Sequence, residues 1–182
     1  MRSKWILVIF ALFTGAILSF DQLNQHPDRA IAVQMFDVNG NNVGVIVAQP
    51  VPNDRVLVTV NLRGLSEGFH GFHIHETGSC DANTGFASAN NHFDLANNHH
   101  GQHSGDLPIL EADATGYVYL AVYTARFKFD DLSDRDGSAF IVHADADNVA
   151  HIPARYGGAD ATTLANGDAG QRIACGVIAA PQ

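Results

Sequence analysis

Hydrophobic and polar residues alternate along much of this chain with the two-residue period of β-strands. The clearest run covers residues 56–62, between the turn-forming sequences Pro52-Asn53-Asp54 and Arg63-Gly64. Similar short runs occupy residues 30–36, 43–48, 69–76, 117–123, 139–143 and 173–179. No stretch keeps a helical period. The pattern predicts an all-β fold, a Greek-key β-barrel or sandwich of about eight antiparallel strands.

Two long segments, residues 77–106 and 144–171, interrupt this rhythm. Both are rich in Gly, Asn, Asp, His and Ala and poor in strand pattern. Irregular connections longer than about 12–15 residues in a compact domain are usually functional or disordered. Because the first segment holds a group of histidines and Asp106, we predict two long functional loops.

The N-terminus has the layout of a secretory signal peptide. Arg2 and Lys4 precede an apolar run over residues 5–20, and polar sequence follows. We expect a signal peptide over residues 1–19, a leader over 20–29 and one domain over 30–182. The alternative is an uncleaved membrane anchor, for which the run is shorter than the ~20 residues of a spanning helix. Cleavage predicts a secreted protein, periplasmic or extracellular, with no membrane attachment.

Composition narrows the range of functions. The chain has 182 residues, a length suited to one domain, and a formal charge of −9. Loss of the two basic residues in the signal would leave −11 (−9 − 2). Nucleic-acid binding needs a basic surface, and the sequence has no Lys/Arg-rich stretch. We therefore expect no nucleic-acid partner.

Cys80 and Cys175 are the two cysteines of the chain. In an oxidising compartment they predict a disulfide, because one intramolecular pairing is available. The alternative is a pair of free buried thiols.

Seven of the ten histidines lie within residues 70–106, and imidazole is the commonest protein ligand for copper and zinc. On a strand, His73 and His75 share one face while Phe72 and Ile74 share the other. We expect the apolar pair in the core and the two histidines facing outward, ready to chelate one ion; two exposed surface histidines are the alternative. His70 lies on the apolar face, where a buried histidine bonded to backbone groups is expected.

Downstream, three imidazoles and one carboxylate form a second candidate set: His92, His100, His103 and Asp106. Four ligands of these types suit a tetrahedral zinc site. His99 beside His100 leaves a choice, because adjacent residues rarely both face one ion. His143, at the end of an apolar strand and before an acidic loop, is a further candidate ligand.

Two motifs resemble the copper/zinc superoxide dismutase family. Residues 68–76, GFHGFHIHE, resemble the family's copper strand G-x-H-G-F-H-x-H-E. Residues 167–178, GDAGQRIACGVI, resemble its ending G-x-A-G-x-R-x-A-C-G-V-I. The resemblance runs from about residue 30 to the C-terminus and implies that the chain converts superoxide to dioxygen and hydrogen peroxide by one-electron cycling of copper.

The resemblance also implies the site residues. Copper would be bound by His73, His75, His92 and His143, and structural zinc by His92, His100, His103 and Asp106. His92 would bridge the metals, leave copper on reduction and carry a proton toward peroxide. Asp147 would link His73 to His100, as an outer partner that fixes ring orientation. Arg172 would attract and orient superoxide, and Cys80 and Cys175 match the family disulfide.

Some features depart from the common cytosolic members. The segment from His100 to His103 is much shorter, and the sequences Gly78-Ser79-Cys80 and Gly105-Asp106-Leu107-Pro108 resemble the exported bacterial type. The insertion at residues 126–137 carries no assigned chemistry, and a solvated loop is expected there. Members assemble through different surfaces, which allows a homodimer. The alternative function is a copper-storage or copper-delivery protein without turnover, although no Cys-x-x-Cys for receiving Cu(I) is present.

Overall fold

The computed structural model describes residues 29–179. Within them lie nine strands and one short α-helix, α1 (Thr163–Asn166). The strands are β1 (Ile31–Asp37), β2 (Asn42–Val51), β3 (Arg55–Leu62), β4 (Gly68–His70), β5 (Phe72–His75), β6 (Leu110–Ala112), β7 (Val118–Thr124), β8 (Ser138–His143) and β9 (Arg172–Ile178).

The strand pairings in the described range are antiparallel, as predicted. Seven strands form one curled sheet in the order β5-β8-β9-β1-β2-β3-β7, so the last described strand, β9, pairs with the first described strand, β1. The remaining strands, β4 and β6, form a two-stranded ribbon. Because β4 runs into β5 and β6 is followed by β7, this ribbon connects the two edge strands of the sheet. The all-β Greek-key barrel is confirmed.

Strand β3 shows how the alternating pattern builds the core. Val56, Val58, Val60 and Leu62 are completely buried, whereas the residues between them keep partial exposure. Side chains of a strand point alternately to its two faces, so one face enters the core and the other borders solvent. Phe72 and Ile74 from β5 and Phe140 and Val142 from β8 complete the same core.

The prediction of one strand over residues 69–76 is wrong in one respect: the segment divides at Gly71 into β4 and β5. Each half pairs with a different strand, β4 with β6 and β5 with β8. At the division, the Gly71 carbonyl oxygen accepts a bond of 2.8 Å from the N–H of His143. A Cβ at Gly71 would lie 2.6 Å from the Cβ of Ala169, so glycine permits this close approach. The three-residue β6 was too short to show a pattern.

Strands β5 and β8 are buried on both faces. The predicted long loops cover the face that points away from the core. His73 and His75 face away from the core, but the alternative of two exposed surface histidines is wrong, since both are 0% exposed. They do lie opposite Phe72 and Ile74, as alternation requires, but tertiary structure closes over them.

The insertion at residues 126–137 is more ordered than a solvated loop. It contains the 3-10 helix Phe129–Ser133, and its Phe127 and Leu132 side chains are buried in the main core. The expectation of a purely solvated loop is wrong for these two positions, because both side chains remove apolar surface from water. The acidic residues between them stay at the surface.

The signal peptide predicted for residues 1–19 lies outside the described residues. Within residues 29–179, no helix has the length and apolar character needed to cross a bilayer.

Candidate metal centre

Four histidines from three parts of the fold meet beside the outer face of β5. His73 and His75 come from β5, His143 ends β8, and His92 comes from the first long loop. All four are buried, with exposures between 0% and 6%. The loop is held against β5 by strand-like bridges, one of which pairs His75 with His92.

Each of these rings turns one nitrogen toward the others that has no hydrogen-bond partner. The four atoms are His73 Nδ1, His75 Nε2, His92 Nε2 and His143 Nε2. Ligand atoms of this group all lie within 4.8 Å of one another. A buried polar atom without a partner costs roughly 1–3 kcal/mol, and four converging on one point would add up to an unstable core. A metal ion coordinated by all four nitrogens removes this penalty.

The opposite nitrogen of three of these rings is held by an acceptor. His75 Nδ1 lies 2.8 Å from the Asn90 carbonyl oxygen, and His143 Nδ1 lies 3.1 Å from that of Gly170. His73 Nε2 lies 2.7 Å from Asp147 Oδ2. A ring nitrogen that donates its N–H to such an acceptor leaves the other nitrogen as a lone pair. The bare nitrogens are thus oriented as metal ligands.

A second cluster lies on the other side of the His92 ring. Asp106 Oδ1 is 3.0 Å from His92 Nδ1 and 3.3 Å from the Nδ1 atoms of both His100 and His103. His92 Nδ1 is 3.3 Å from His100 Nδ1 and 3.4 Å from His103 Nδ1. Tetrahedral zinc with metal–ligand bonds of 2.0–2.1 Å requires ligand separations of about 3.3 Å. The second cluster fits zinc closely.

His73 also comes near the second cluster and lies within 4.8 Å of His92, His100 and Asp106 by ligand atoms. Its two nitrogens nevertheless separate it from that set. Nε2 is bonded to Asp147, and Nδ1 is the bare nitrogen facing the first group. His103 Nδ1, in contrast, makes close approaches to both His92 and Asp106. His103 is therefore the better fourth member of the second cluster.

Asp147 connects the two clusters from behind. Its Oδ2 lies 2.7 Å from His73 Nε2 and its Oδ1 lies 2.8 Å from His100 Nε2. The N–H of Val149 donates to Oδ1 at 2.6 Å. The carboxylate is buried and accepts from both rings at once, which fixes both imidazole planes. Asp147 thus contacts His73 and His100, the two rings that the family resemblance names for it.

Arg172 lies close to the first cluster. Its Nη1 and Nη2 atoms donate to the carbonyl oxygens of Phe86 and Asn90, each at 2.6 Å. The Asn90 oxygen is also the acceptor for His75 Nδ1, so Arg172 and His75 share one backbone acceptor. Arg172 is half-buried. Burial, and to a smaller extent the charge of Arg172, lowers the pKa of His75 and of His143, which places this cation near both rings.

Burial keeps most of these histidines neutral. It lowers the pKa of His92 to about 4 and that of His143 to about 3, and it lowers the pKa of His75 well below its usual value. The neutral imidazole is the form that binds a metal. His100 differs: burial lowers its pKa, but Asp106 and Asp147 together outweigh that effect and raise it to about 9 in the metal-free chain.

Two histidines of the cluster in the sequence stay outside both groups. His70 is buried, and its ring nitrogens lie 2.8 Å from the His143 carbonyl oxygen and 2.9 Å from that of Ser66, as expected for a supporting residue. His99 is exposed, while its neighbour His100 is 4% exposed. The Cys80–Cys175 disulfide is confirmed and joins the first long loop to β9.

Other contributors to the site could not be found from the sequence. The carbonyl oxygens of Asn90 and Gly170 act through the backbone, which carries no residue-specific signal. Gly167 ends α1 with a φ of 65°, and a Cβ there would lie 2.2 Å from Asp147 Oδ1 and 2.3 Å from His100 Nε2. Gly167 lies in the matched C-terminal motif, but only the tertiary structure shows what its missing side chain makes room for.

Comparison with known proteins agrees with this geometry. The family model for copper/zinc superoxide dismutase (SODC) matches residues 43–178. A Superoxide dismutase [Cu-Zn] from Mycobacterium bovis is 39% identical over 138 residues, which are 67% of this chain and 58% of that protein. This chain thus spans just over half the length of its mycobacterial relatives. One from Neisseria meningitidis is 33% identical over 195 residues, covering 98% of both chains.

Solved structures give the same result. The Cu/Zn superoxide dismutase from Brucella abortus matches with a TM-score of 0.65 and 29% identity, over 82% of this chain and 99% of that one. A SOD-like protein from Bacillus subtilis matches with a TM-score of 0.66 and 31% identity, over 80% and 96% of the two chains. With its two histidine clusters and its barrel, the chain belongs to the copper/zinc superoxide dismutase family.

Proposed function

We propose that this chain is a superoxide dismutase, an oxidoreductase that converts two superoxide anions and two protons into dioxygen and hydrogen peroxide. One observation carries the proposal above all. Four buried histidine nitrogens without a partner converge beside the half-buried cation of Arg172. A redox metal and a fixed positive charge are the two parts that a reaction between small anions requires.

The two clusters divide the metals between them. In this proposal, copper is held by His73, His75, His92 and His143, and zinc by His92, His100, His103 and Asp106. Four nitrogen ligands suit copper, whereas three nitrogens and one carboxylate oxygen suit tetrahedral zinc. His92 belongs to both sets, because its Nε2 is one of the unpartnered nitrogens and its Nδ1 lies beside Asp106.

The bound copper would supply one-electron chemistry, taking an electron from one superoxide and returning it to a second, whereas zinc has no redox chemistry. The chain's own residues supply position and protons. His92 has its Nδ1 beside Asp106 in the second cluster, and its Nε2 faces the first cluster, where it would hold a proton for peroxide. That proton is one of the two that peroxide needs.

Arg172 binds and orients the anion. Two of its nitrogens are tied to the carbonyl oxygens of Phe86 and Asn90, so the plane of its guanidinium is held fixed. A guanidinium has five N–H donors and stays charged at all working pH values. Its remaining donors can hold a small anion beside His75 and His143.

We further propose that the protein is exported and works outside the cytoplasm, in the periplasm or the extracellular space. The Cys80–Cys175 disulfide and the apolar run over residues 5–20 support this location. After signal cleavage the chain would have no membrane attachment and, being acidic, no nucleic-acid partner. A homodimer is compatible with the family.

The decisive experiment is reconstitution of the purified chain with copper and zinc. We expect one copper and one zinc per chain, and superoxide removal well above that of the same concentration of free copper. The His99→Ala variant serves as the control, because the exposed His99 belongs to neither cluster and its loss should change neither metal content nor activity.

A chain that binds copper tightly but removes superoxide no faster than free copper would contradict the enzyme and favour the storage or delivery alternative. Metal content should be measured in the same samples. Loss of activity would then be traceable either to absent copper or to absent turnover.

A further inference from the structure

The short loop that carries part of the second cluster is held from outside by a residue of the insertion. Arg126 Nη1 donates to the carbonyl oxygen of His103, and Nη2 donates to that of Gly101, both at 3.1 Å. One guanidinium therefore spans two residues of the loop. Its flat fork of donors suits such a double contact, which a single ammonium group cannot reproduce in the same way.

The same two loop residues are held from inside by Asp106. Its Oδ2 accepts from the N–H of Gly101 at 2.6 Å and from the N–H of His103 at 3.0 Å. Its other oxygen, Oδ1, faces the three histidine nitrogens. Gly101 and His103 thus donate to a candidate zinc ligand on one side and accept from Arg126 on the other.

The position of Arg126 is itself fixed by its neighbours. The backbone N–H of Arg126 donates to Thr124 Oγ1 at 3.2 Å. The adjacent Phe127 is buried in the core. The Phe127 ring meets that of Phe93 edge to face, with centroids 6.3 Å apart. Phe93 directly follows His92, and its carbonyl oxygen accepts from Gly105 at 2.7 Å. The insertion is therefore anchored where it can hold the loop.

We propose that Arg126 is a positioning residue for the zinc site, because it holds the backbone of Gly101 and His103 from the side opposite Asp106. The backbone of His103 sets the direction of its ring toward His92 and Asp106. The arginine supplies two charge-assisted hydrogen bonds from a separate element. This inference rests on the zinc site proposed above and concerns zinc retention, not the copper reaction.

The test compares zinc binding by full-length variants, using chelator competition and the visible spectrum of Co(II) bound in place of zinc. We expect Arg126→Ala to bind zinc roughly tenfold more weakly, as for other outer partners of metal ligands, and to alter the Co(II) spectrum. Arg126→Lys keeps the charge but not the fork, and we expect an intermediate loss. Arg135→Ala, an exposed arginine of the same insertion, should match the wild type.

The sign of the effect separates positioning from simple charge. Removing a cation near a zinc site should strengthen zinc binding if charge alone matters, whereas loss of the double contact should weaken it. Equal zinc affinity and an unchanged Co(II) spectrum in Arg126→Ala would overturn the role, as would an equal loss in Arg135→Ala. Wild-type protein that binds no zinc would overturn the zinc site itself and, with it, this inference.

Discussion

At the scale of single residues, the centre depends on histidine having two distinct nitrogens. His92 turns Nε2 to one cluster and Nδ1 to the other, while His73 and His100 use one nitrogen for a cluster and the other for Asp147. The two ring nitrogens point in different directions, so one imidazole can face two partners at once. Two adjacent histidines can therefore differ sharply in their effect on metal binding, because only the ring that points into a cluster can bind the metal.

His99 and His100 provide a matched test of this point. His100→Ala should lose zinc first, because it removes a ring that reaches both Asp106 and Asp147. His99→Ala removes an exposed ring and should keep zinc. Zinc content after dialysis against a weak chelator measures the difference. Equal zinc loss in the two variants would show that the choice between them is wrong.

Arg172→Ala should keep both metals and react more slowly. The guanidinium contacts backbone carbonyls and belongs to neither cluster, but in the proposed function its charge would attract the anionic substrate to the site. At low ionic strength we expect the rate to fall roughly tenfold or more, within the range of electrostatic steering. The rate of superoxide removal, measured at increasing salt concentration, gives this difference. Arg63→Ala, in the turn after β3, is the control for the loss of one positive charge. An unchanged rate at low salt would exclude the assigned role.

At the scale of elements, the centre depends on loops packing onto a strand face that β-alternation alone would leave in water. Strand β5 supplies two histidines, and the first long loop bridges to it at His75 and covers it. Helix α1 in the second loop ends at Gly167, directly behind the Asp147–His100 contact. The ends of short elements thus set the distances between ligands and their supports.

Gly167→Ala tests this close packing. Its added Cβ would collide with Asp147 and His100, and its positive φ disfavours any side chain. Gly157→Ala is the control, because its φ of 104° is also positive but nothing lies within 4 Å. Both variants should lose at least about 1 kcal/mol of stability through the positive φ, and Gly167→Ala should lose more because of the collision. Only Gly167→Ala should also weaken zinc binding, by roughly tenfold; similar zinc affinities would contradict the collision.

At the scale of the whole molecule, the metal-free protein holds charged and neutral histidines in one buried network. His92 and His143 have pKa values of about 4 and about 3, below the unfolded value of 6.5, so the stability linked to them is lost as pH falls below 6.5. His100, with a pKa of about 9, contributes stability that is present below 6.5 and is lost as pH rises through 9.

These opposite signs predict a stability maximum near neutral pH for the metal-free chain. Urea unfolding at pH 4.5, 7 and 9 after removal of metals should show this maximum. The free energy of unfolding should fall by several kcal/mol between pH 7 and pH 4.5. Stability that stays constant or rises between pH 7 and 4.5 would contradict the assigned neutral histidines. The Cys80–Cys175 bond must remain oxidised throughout, because reduction would change stability by itself.

Much of the fold was predictable because strand alternation is a local property. The runs that became β1, β3, β8 and β9 are visible in the sequence, since each buries one face in the same core. The division of residues 69–76 into two strands was not predictable, because a turn at a single glycine leaves the alternation nearly intact. That loops cover His73 and His75 could not be read from the sequence for a related reason: covering loops have no periodicity.

The strand pattern, the residue types able to bind metals and, through two motifs, the family could all be read from the sequence. The folded chain was needed to show which ring nitrogen faces which cluster, which oxygen of Asp147 lies beside His73 and which beside His100, and that Arg126 and Gly167 border the second cluster. Periodicity encodes which face of an element is apolar, within a few residues. Contacts between residues dozens of positions apart exist only after the chain has folded, and the distances in this centre are of that kind.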